Sequence, residues 1–338
     1  MVYFNKEMTM RKHFNVDLSE FWIQNQWYNA LQNTSFVNKM HNLSHSSFDD
    51  LKNSTEEDGS ILNYTFAAAS VLRRGFRIKR RYQKEMKLFG KCADAVRQIF
   101  IGNMTYELYK AGDAIANFEW CSSLSKNTPD GPILARNMDW PLDGLDDCTI
   151  SVDFEGAPAG EFTAITFPGF SGVLTGIAPE RFSASINMMI EDYGFDIRDT
   201  PVAFLLREVF EECVDYDAAV DFLMQSDVFA PAFIHLVGTK PDEQCVIGMM
   251  TRKYENILYK VKKRDPGLII TNHIPDSDFD DDEYEVDSVE RYRIAKRSLR
   301  GIKTLEKAFD VMQKDPLLNE ETKYSVAMCA NTGEYILN

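Results

Sequence analysis

The chain has 338 residues and a formal net charge of −15, from 37 lysines and arginines against 52 aspartates and glutamates. This excess of negative charge repels phosphate groups and argues against nucleic acid as a partner. Hydrophobic residues make up 44% and charged residues 26% of the chain. These fractions are typical of a globular protein and exclude a disordered or fibrous chain.

The chain shows no targeting or membrane signal. Its start, MVYFNKEMTMRKHFNVDLSEFW, lacks a continuous apolar stretch, and no later stretch reaches the roughly 18 apolar residues that span a bilayer. The six cysteines lie far apart, without the close pairs of a zinc or redox motif. We therefore expect no signal peptide, no transmembrane segment, no metal, no cofactor, and a cytoplasmic location with reduced thiols.

The first third of the chain has mainly helical features. Residues 1–60 mix aromatic and polar side chains and end in the polar run SSFDDLKNSTEEDGS, which predicts helices followed by a loop. The runs FAAASVLRRGFRIKRRYQKEMKLFG and ADAVRQIFIGNMTYELYKAGD carry apolar residues at helical spacing. Residues 1–120 are thus predicted to form a mostly helical segment.

After Trp120 short apolar runs alternate with turn residues, which predicts antiparallel strands from CSSLS to RFSASINMM. The segment TPVAFLLREVFEECVDYDAAVDFLMQ predicts one or two helices, with Thr200 as N-cap and Pro201 in the first turn. Strands from FIHLVGT to GLIITN follow, then the helical stretch DSVERYRIAKRSLRGIKTLEKAFDVMQ and a last strand pair. This order predicts two sheets between helical layers.

The turn NTPDG predicts a hairpin, because Pro129 presets its backbone dihedral and Gly131 tolerates positive φ. Centring the hairpin near residue 129 places Cys121 opposite residue 137, within one or two residues. Arg136 is therefore expected beside Cys121. Cross-strand neighbours lie about 4.5 to 5.5 Å apart at Cβ, so the guanidinium would stabilise a cysteine thiolate.

Asp139 follows Arg136 by three residues, so in a regular strand the two side chains point to opposite faces. Both reach the cysteine only if the strand ends or bulges near Met138. The residues alone leave a second interpretation open, in which Cys121 is a buried thiol beside a structural Arg–Asp pair.

The segment WCSSLSKNTPDGPILARNMDWPL resembles the start of the mature chain in the choloylglycine hydrolase superfamily, which includes bile-salt hydrolases, acid ceramidase and N-acylethanolamine acid amidase. There a cysteine opens the chain, a short hairpin follows, and an Arg-Asn-x-Asp motif comes next, matched here from Arg136 to Asp139. PGFSGVLTGIAPERFSASIN, LIITNHIPD, DSVERYR and TGEYIL are similar to later family segments, and NMTYELYKAGD to the stretch before the cleavage site. The resemblance covers about residues 90–338, but neither residues 1–60 nor the acidic run DSDFDDDEYEVD.

The resemblance implies an N-terminal-nucleophile hydrolase. It also implies an α+β fold, a four-layer αββα sandwich of antiparallel sheets. Residues 121–338 would form the catalytic core, and residues 1–120 a helical pro-region separated from it by self-cleavage between Trp120 and Cys121. The implied reaction is hydrolysis of a linear amide in a small-molecule N-acyl amine of the ceramide, N-acylethanolamine or conjugated bile-acid class. The long segment before the cysteine is closer to the ceramidase and amidase branch.

The resemblance also implies six catalytic residues with polar side chains: Cys121, Arg136, Asp139, Asn187, Asn272 and Arg291. Cys121 would be the nucleophile, and its freed α-amino group, with a pKa of about 7.7 to 8.0, the base. Arg136 would favour the thiolate, and Asp139 would hold the ammonium group or the sulfur in place. Asn272, together with Asn187, would donate to the oxyanion.

Other functions remain open at this stage. A papain-like site would pair Cys121 with His235 or His273, the histidines downstream of it. Ser171 lacks the G-x-S-x-G spacing of a serine hydrolase. The rival from another class is a non-catalytic protein that keeps this fold, binds a ligand and is never cleaved.

Aspartates at positions 276, 278, 280 and 282 have the spacing of a calcium-binding loop. However, position six of that loop is Asp281, where glycine is required, and position twelve is Asp287, where glutamate is expected. A solvated acidic loop is the other interpretation.

A basic cluster lies within the run FAAASVLRRGFRIKRRYQKEMKLFG and consists of Arg73, Arg74, Arg77, Lys79, Arg80 and Arg81. It includes the apolar Phe76 and Ile78. The pattern fits either a solvated helix face or peripheral contact with an anionic lipid surface.

Overall fold

The structure is a computed structural model. It describes residues 12–18, 78–89, 103–104, 106–107, 110, 121–140, 145–262, 267–275, 277–281 and 287–338. Trp120 and most of the predicted helical segment lie outside the described residues.

The described residues contain thirteen strands and five α-helices. In chain order the strands are β1 (Lys12–Asp17), β2 (Ser122–Thr128), β3 (Gly131–Asp139), β4 (Ile150–Glu155), β5 (Phe162–Thr166), β6 (Thr175–Ala178), β7 (Phe182–Met188), β8 (Ala232–Val237), β9 (Gln244–Met249), β10 (Ile257–Lys260), β11 (Ile269–Ile270), β12 (Thr322–Cys329) and β13 (Glu334–Leu337). The helices are α1 (Arg80–Phe89), α2 (Val202–Glu212), α3 (Tyr216–Met224), α4 (Ser288–Ser298) and α5 (Leu305–Met312).

The strands form two sheets. The larger has eight strands in the order β1-β4-β5-β6-β7-β8-β9-β10, and the smaller has five in the order β11-β2-β3-β12-β13. All neighbouring strands are antiparallel except β1 and β4, which are parallel. The strand pattern predicted from the sequence is therefore confirmed over the described part of the chain.

Helices cover the outer face of each sheet. On the larger sheet, Phe210 of α2 lies 5.3 Å from the ring of Phe162 and 5.2 Å from that of Phe182, measured between centroids. Helices α4 and α5 cover the smaller sheet, and their apolar side chains share one buried cluster with Leu124 and Ala327. The inner faces of the sheets meet, which completes the αββα sandwich expected from the resemblance.

This layering explains why the strands read as continuous apolar runs. Strands β7 and β8 are buried at every position, because one face meets the opposite sheet and the other meets helices. In the described part of the chain, no helix is long and apolar enough to cross a membrane.

The prediction of helices and a loop over residues 1–60 is wrong for residues 12–17, which form β1. In this strand Val16 is fully buried, while His13 and Asn15 on the opposite face are exposed. Such alternation with a period of two is typical of a strand with one buried face.

The predicted cap of α2 is also wrong. Thr200 forms an isolated bridge with Val228, so the helix begins later, with Pro201 as its N-cap. The predicted helical stretch after residue 287 consists of two helices, separated by a 3-10 turn at Leu299–Gly301.

The acidic segment contacts the start of α4. The Asp281 carboxylate accepts the backbone N–H groups of Val289 and Glu290 at the start of α4. Asp276 and Asp282 lie outside the described residues.

In the basic cluster, Lys79 pairs with Glu208 and Glu212 of α2 at 3.1 and 3.0 Å, and Arg81 pairs with Glu211 of the same helix. Arg73, Arg74 and Arg77 lie outside the described residues. Contact with lipid stays a prediction.

Candidate active site

The hairpin of β2 and β3 brings Cys121 and Arg136 together. Ser122 pairs with Asn137 and Ser123 with Arg136, and Gly131 in the turn has a φ of 125°. Cys121 precedes the first paired residue, within one residue of the expected register. Its side chain is buried, with 3% of its surface exposed.

Arg136 connects the cysteine to both sheets. Its Nη2 donates to the Sγ of Cys121 at 3.0 Å, and its Nη1 donates to the Oγ1 of Thr175 at 2.7 Å and to the carbonyl of Leu174 at 3.1 Å. The guanidinium carbon lies 5.6 Å from the ring centroid of Tyr324, whose hydroxyl is 2.8 Å from the Oγ1 of Thr175. The cation is thus fixed in one orientation, with one nitrogen on the sulfur.

Asp139 ends β3 and is fully buried. Its carboxylate accepts hydrogen bonds from the Oγ1 of Thr322 at 2.7 Å and from the Nδ2 of Asn319 at 2.9 Å. The ladder to β12 shifts register between Thr322 and Tyr324, so the irregularity anticipated near Met138 lies in the partner strand. Burial raises the pKa of Asp139 to about 6, although Arg291 and Arg136 both act to lower it.

This pKa predicts how stability depends on pH. The pKa of Asp139 rises from 3.8 in its reference state to about 6 in the fold, so the folded protein binds the proton more tightly. Its contribution to stability is complete below about pH 4 and lost as the pH rises through 6, on the order of 3 kcal/mol.

The prediction is tested with Asp139→Asn in a Cys121→Ala background, where every chain stays whole if Cys121 drives cleavage. Urea unfolding between pH 4 and 7 should show a flatter pH dependence for the asparagine variant than for its parent. Parallel curves for the two proteins would contradict the assignment.

Arg291, in α4, joins the cysteine to Asn272, which lies two residues after the end of β11. Its Nη1 donates to the carbonyl of Cys121 at 2.9 Å and to the Oγ of Ser122 at 2.7 Å, while its Nη2 donates to the Oδ1 of Asn272 at 2.9 Å. Its Nε donates to the Oδ1 of Asp287 at 2.5 Å, and the side chain is completely buried.

The side-chain amide of Asn272 is held in a defined orientation. Because its Oδ1 faces the Arg291 guanidinium, its Nδ2 points the other way and donates to the carbonyl of Met188 at 3.1 Å. Its backbone is held by Ser288, whose Oγ accepts the N–H at 3.0 Å, and by the Ile190 N–H, which donates to its carbonyl. An amide nitrogen has two hydrogens, so one remains for another acceptor.

Asn187 lies on β7 and contacts the segment that precedes Asn272. Its Nδ2 is 3.2 Å from the carbonyls of both Ile270 and Thr271, to which it donates. The side chain therefore holds the backbone immediately before Asn272.

The two histidines considered for a papain-like site have other neighbours. His235 lies 3.0 Å from the Oγ of Ser123, and burial lowers its pKa to about 3, which keeps the ring neutral. His273 lies 2.8 Å from the Oγ of Ser288 and stacks on Phe279. Ser171 contributes its backbone carbonyl, which accepts a hydrogen bond from Arg207.

A small cavity of about 30 Å³ adjoins the cysteine. Its wall is mostly apolar and contains Met138, Trp140, Phe170, Leu174, Ile186, Met188, Val202 and Ala203. Cys121 and Arg136 line the same cavity, together with Asn103, Tyr106 and Glu107 from the chain before the cysteine. The arrangement places a thiol and a cation beside an apolar binding space.

The residues that hold the charged groups in place were not predicted from the sequence: Thr175, Asp287, Asn319, Thr322 and Tyr324. Thr175 belongs to PGFSGVLTGIAPERFSASIN, one of the segments that carry the family resemblance. The others carry no motif that separates them from ordinary polar residues.

Comparison with known proteins agrees with this geometry. Residues 126–331 match the acyl-coenzyme A:6-aminopenicillanic acid acyl-transferase family. Acid ceramidase of Pan troglodytes is 25% identical over 284 residues, which cover 75% of this chain and 68% of that protein. N-acylethanolamine-hydrolyzing acid amidase of Caenorhabditis elegans is 32% identical over 139 residues, which cover 38% of this chain and 39% of the relative.

A solved structure of the Caenorhabditis elegans N-acylethanolamine-hydrolyzing acid amidase ortholog superimposes with a TM-score of 0.52 at 25% identity. The superposition covers 62% of this chain and 92% of that one. The family match spans more than half of the chain, from the hairpin beside Cys121 to the turn between β12 and β13. With this match and its αββα sandwich, the chain belongs to the acyl-coenzyme A:6-aminopenicillanic acid acyl-transferase family and has the N-terminal-nucleophile hydrolase fold.

Proposed function

We propose that this chain is an amide hydrolase that uses Cys121 as an N-terminal nucleophile and cleaves the linear amide of an N-acyl amine. The observation that carries the proposal is the contact of Arg136 with the sulfur at 3.0 Å, in a cavity otherwise mostly apolar. A buried cation beside a thiol favours the thiolate, which is the nucleophilic form of cysteine.

The base in this proposal is the α-amino group of Cys121 itself. An α-amine has a pKa of about 7.7 to 8.0, so near neutral pH it can accept the thiol proton and later return it to the leaving amine. Within a peptide bond the same nitrogen is an amide and is not basic. The mechanism therefore requires cleavage between Trp120 and Cys121. The sulfur of Cys121 attacks the carbonyl of Trp120, which breaks the amide bond, frees the α-amino group and leaves a thioester, and water then hydrolyses this thioester.

Asn272 is the proposed donor to the oxyanion. Arg291 fixes the oxygen of this amide, so the nitrogen side has a constant orientation and one hydrogen remains after the bond to Met188. Asn187 would support Asn272 by holding the preceding carbonyls. Asp139, buried near both arginines, would balance their charge and orient the α-ammonium group.

The substrate side of the proposal follows from the cavity wall. Apolar side chains suit an acyl chain, and the names of the two relatives, acid ceramidase and N-acylethanolamine-hydrolyzing acid amidase, refer to N-acyl amines of this kind. Attack by Cys121 releases the amine and leaves a thioester, which water then hydrolyses to the free acid.

The cleavage step is tested by intact mass spectrometry after incubation in mildly acidic, reducing buffer. We expect two pieces of 120 and 218 residues, the larger beginning at Cys121, and turnover that rises as they form. A protein that stays whole and still hydrolyses substrate would refute the mechanism. A protein that stays whole and is inactive would support the rival, a non-catalytic binding protein with this fold.

A further inference from the structure

The chain before Cys121 contributes to the cavity. Asn103, Tyr106 and Glu107 line it beside the cysteine, and all three belong to the short segment NMTYE. The binding space is thus built from residues on both sides of the proposed cleavage point. These three residues are also polar, in contrast to most of the remaining wall.

Two of these three polar side chains are used to hold the protein together. Asn103 accepts the N–H of Ser171 at 2.6 Å and donates to the carbonyl of Gly169 at 2.7 Å. The Tyr106 hydroxyl donates to the carbonyl of Pro231. Both groups are therefore occupied by backbone partners.

Glu107 has more hydrogen-bonding capacity than its described neighbours use. Its Oε1 accepts the N–H of Val202 at 3.2 Å, at the start of α2, and its carboxylate also accepts its own backbone N–H. A carboxylate offers about four acceptor sites. The side chain is 2% exposed, and burial raises its pKa to about 7, so a protonated fraction that also donates is present near neutral pH.

We propose that Glu107 is a specificity-determining residue that hydrogen-bonds a hydroxyl group on the amine half of the substrate. The cavity combines a broad apolar wall with one carboxyl group whose described contacts use only part of its hydrogen-bonding capacity, and an N-acyl amine bearing a hydroxyl has the matching distribution of polarity. The inference rests on the proposed amide hydrolysis. It identifies the Glu107 carboxyl group as the part of the protein that selects the amine half of the substrate.

The position of Glu107 does not depend on the peptide bond before Cys121. The Nζ of Lys110 donates to the carbonyl of Ile190 at 3.3 Å, and Asn103 clamps the loop that carries Gly169. Further upstream, Glu85 of α1 forms a buried ion pair with Arg207 of α2 at 2.8 Å. These contacts keep the carboxyl group in the cavity after cleavage.

The test compares two substrates that share one acyl chain, an N-acylethanolamine and the N-acylpropylamine in which a methyl group replaces the hydroxyl. Wild-type protein should prefer the ethanolamine compound at least tenfold in kcat/KM, the size of one hydrogen bond to a carboxyl group. Glu107→Met should reduce this ratio to within about threefold of one, mainly through a higher KM for the ethanolamine compound. Glu107→Gln keeps an acceptor and should retain most of the preference.

A merely structural role would lower kcat/KM for both compounds by the same factor, and that result overturns the inference. So does a wild-type protein that hydrolyses both compounds equally well. If Glu107→Met fails to fold, Glu107→Asp withdraws the carboxyl group by one methylene, and an unchanged ratio in this variant again overturns the inference. A wild-type protein that hydrolyses neither compound refutes the proposed function itself.

Discussion

Replacing Cys121 by alanine will abolish both self-cleavage and amide hydrolysis, with a loss in turnover of about 10⁴-fold or more. The variant removes the only sulfur that Arg136 is seen to contact, and with it both the attacking atom and the cleavage that frees the base. We expect the fold to persist, because the change takes one atom from a cavity wall.

The measurement uses a panel of fluorogenic N-acyl amides together with the intact mass of each protein. Cys213→Ala is the matched control, because burial raises the pKa of Cys213 to about 11 and this thiol lies at the end of α2. The control should be cleaved and active. Turnover by Cys121→Ala within tenfold of wild type would contradict the assignment of the nucleophile.

Replacing Arg291 by methionine will produce the second largest effect, a loss in kcat of at least about a hundredfold. Its guanidinium binds the carbonyl of Cys121 and the side chains of Ser122, Asn272 and Asp287 at the same time. Without it the amide of Asn272 loses its fixed orientation. Because the buried carbonyl of Cys121 and the buried side chains of Ser122 and Asn272 also lose a hydrogen-bond donor, we expect a cost of about 1 to 3 kcal/mol in stability.

Rates for Arg291→Met must be measured well below its own Tm, so that lost activity is separated from unfolding. Arg297→Met, an exposed change on the same helix, is the control and should match wild type in both measurements. Arg291→Lys keeps the charge but not the planar set of donors, so it should fall between the two. Wild-type kcat in a folded Arg291→Met variant would remove Arg291 from the mechanism.

The hairpin beside the cysteine could be predicted because its signals are local. Pro129 and Gly131 define the turn, and strand pairing then places Arg136 next to Cys121 within one residue. The helices after residue 200 could be predicted for the same reason, since apolar spacing indicates a helix wherever it packs.

The contacts that Arg291 makes in the site could not be predicted from local sequence patterns. Its partners Cys121 and Asn272 lie 170 and 19 residues away, and only the assembled sheets bring them within hydrogen-bonding distance. The resemblance named these residues but not their contacts. Asn187 shows the difference, because the resemblance did not predict that its amide holds the carbonyls of Ile270 and Thr271.

Strand β1 was missed because its six residues lie among aromatic and polar residues that mask its alternation. A single buried position, Val16, is a weak signal next to the longer apolar runs of the later strands. Its partner β4 lies more than 130 residues further along the chain, beyond the reach of any local pattern.

The parallel pairing of β1 with β4 also decides which strand forms the border of the larger sheet. Strand β4 is largely buried, and an uncovered edge strand offers its N–H and C=O groups to any other extended chain. With β1 in place, β1 is the edge strand. It exposes His13 and Asn15, and His13 pairs with Asp153. Loss of β1 by proteolysis would therefore expose the edge of β4, where another chain could pair and aggregation could begin.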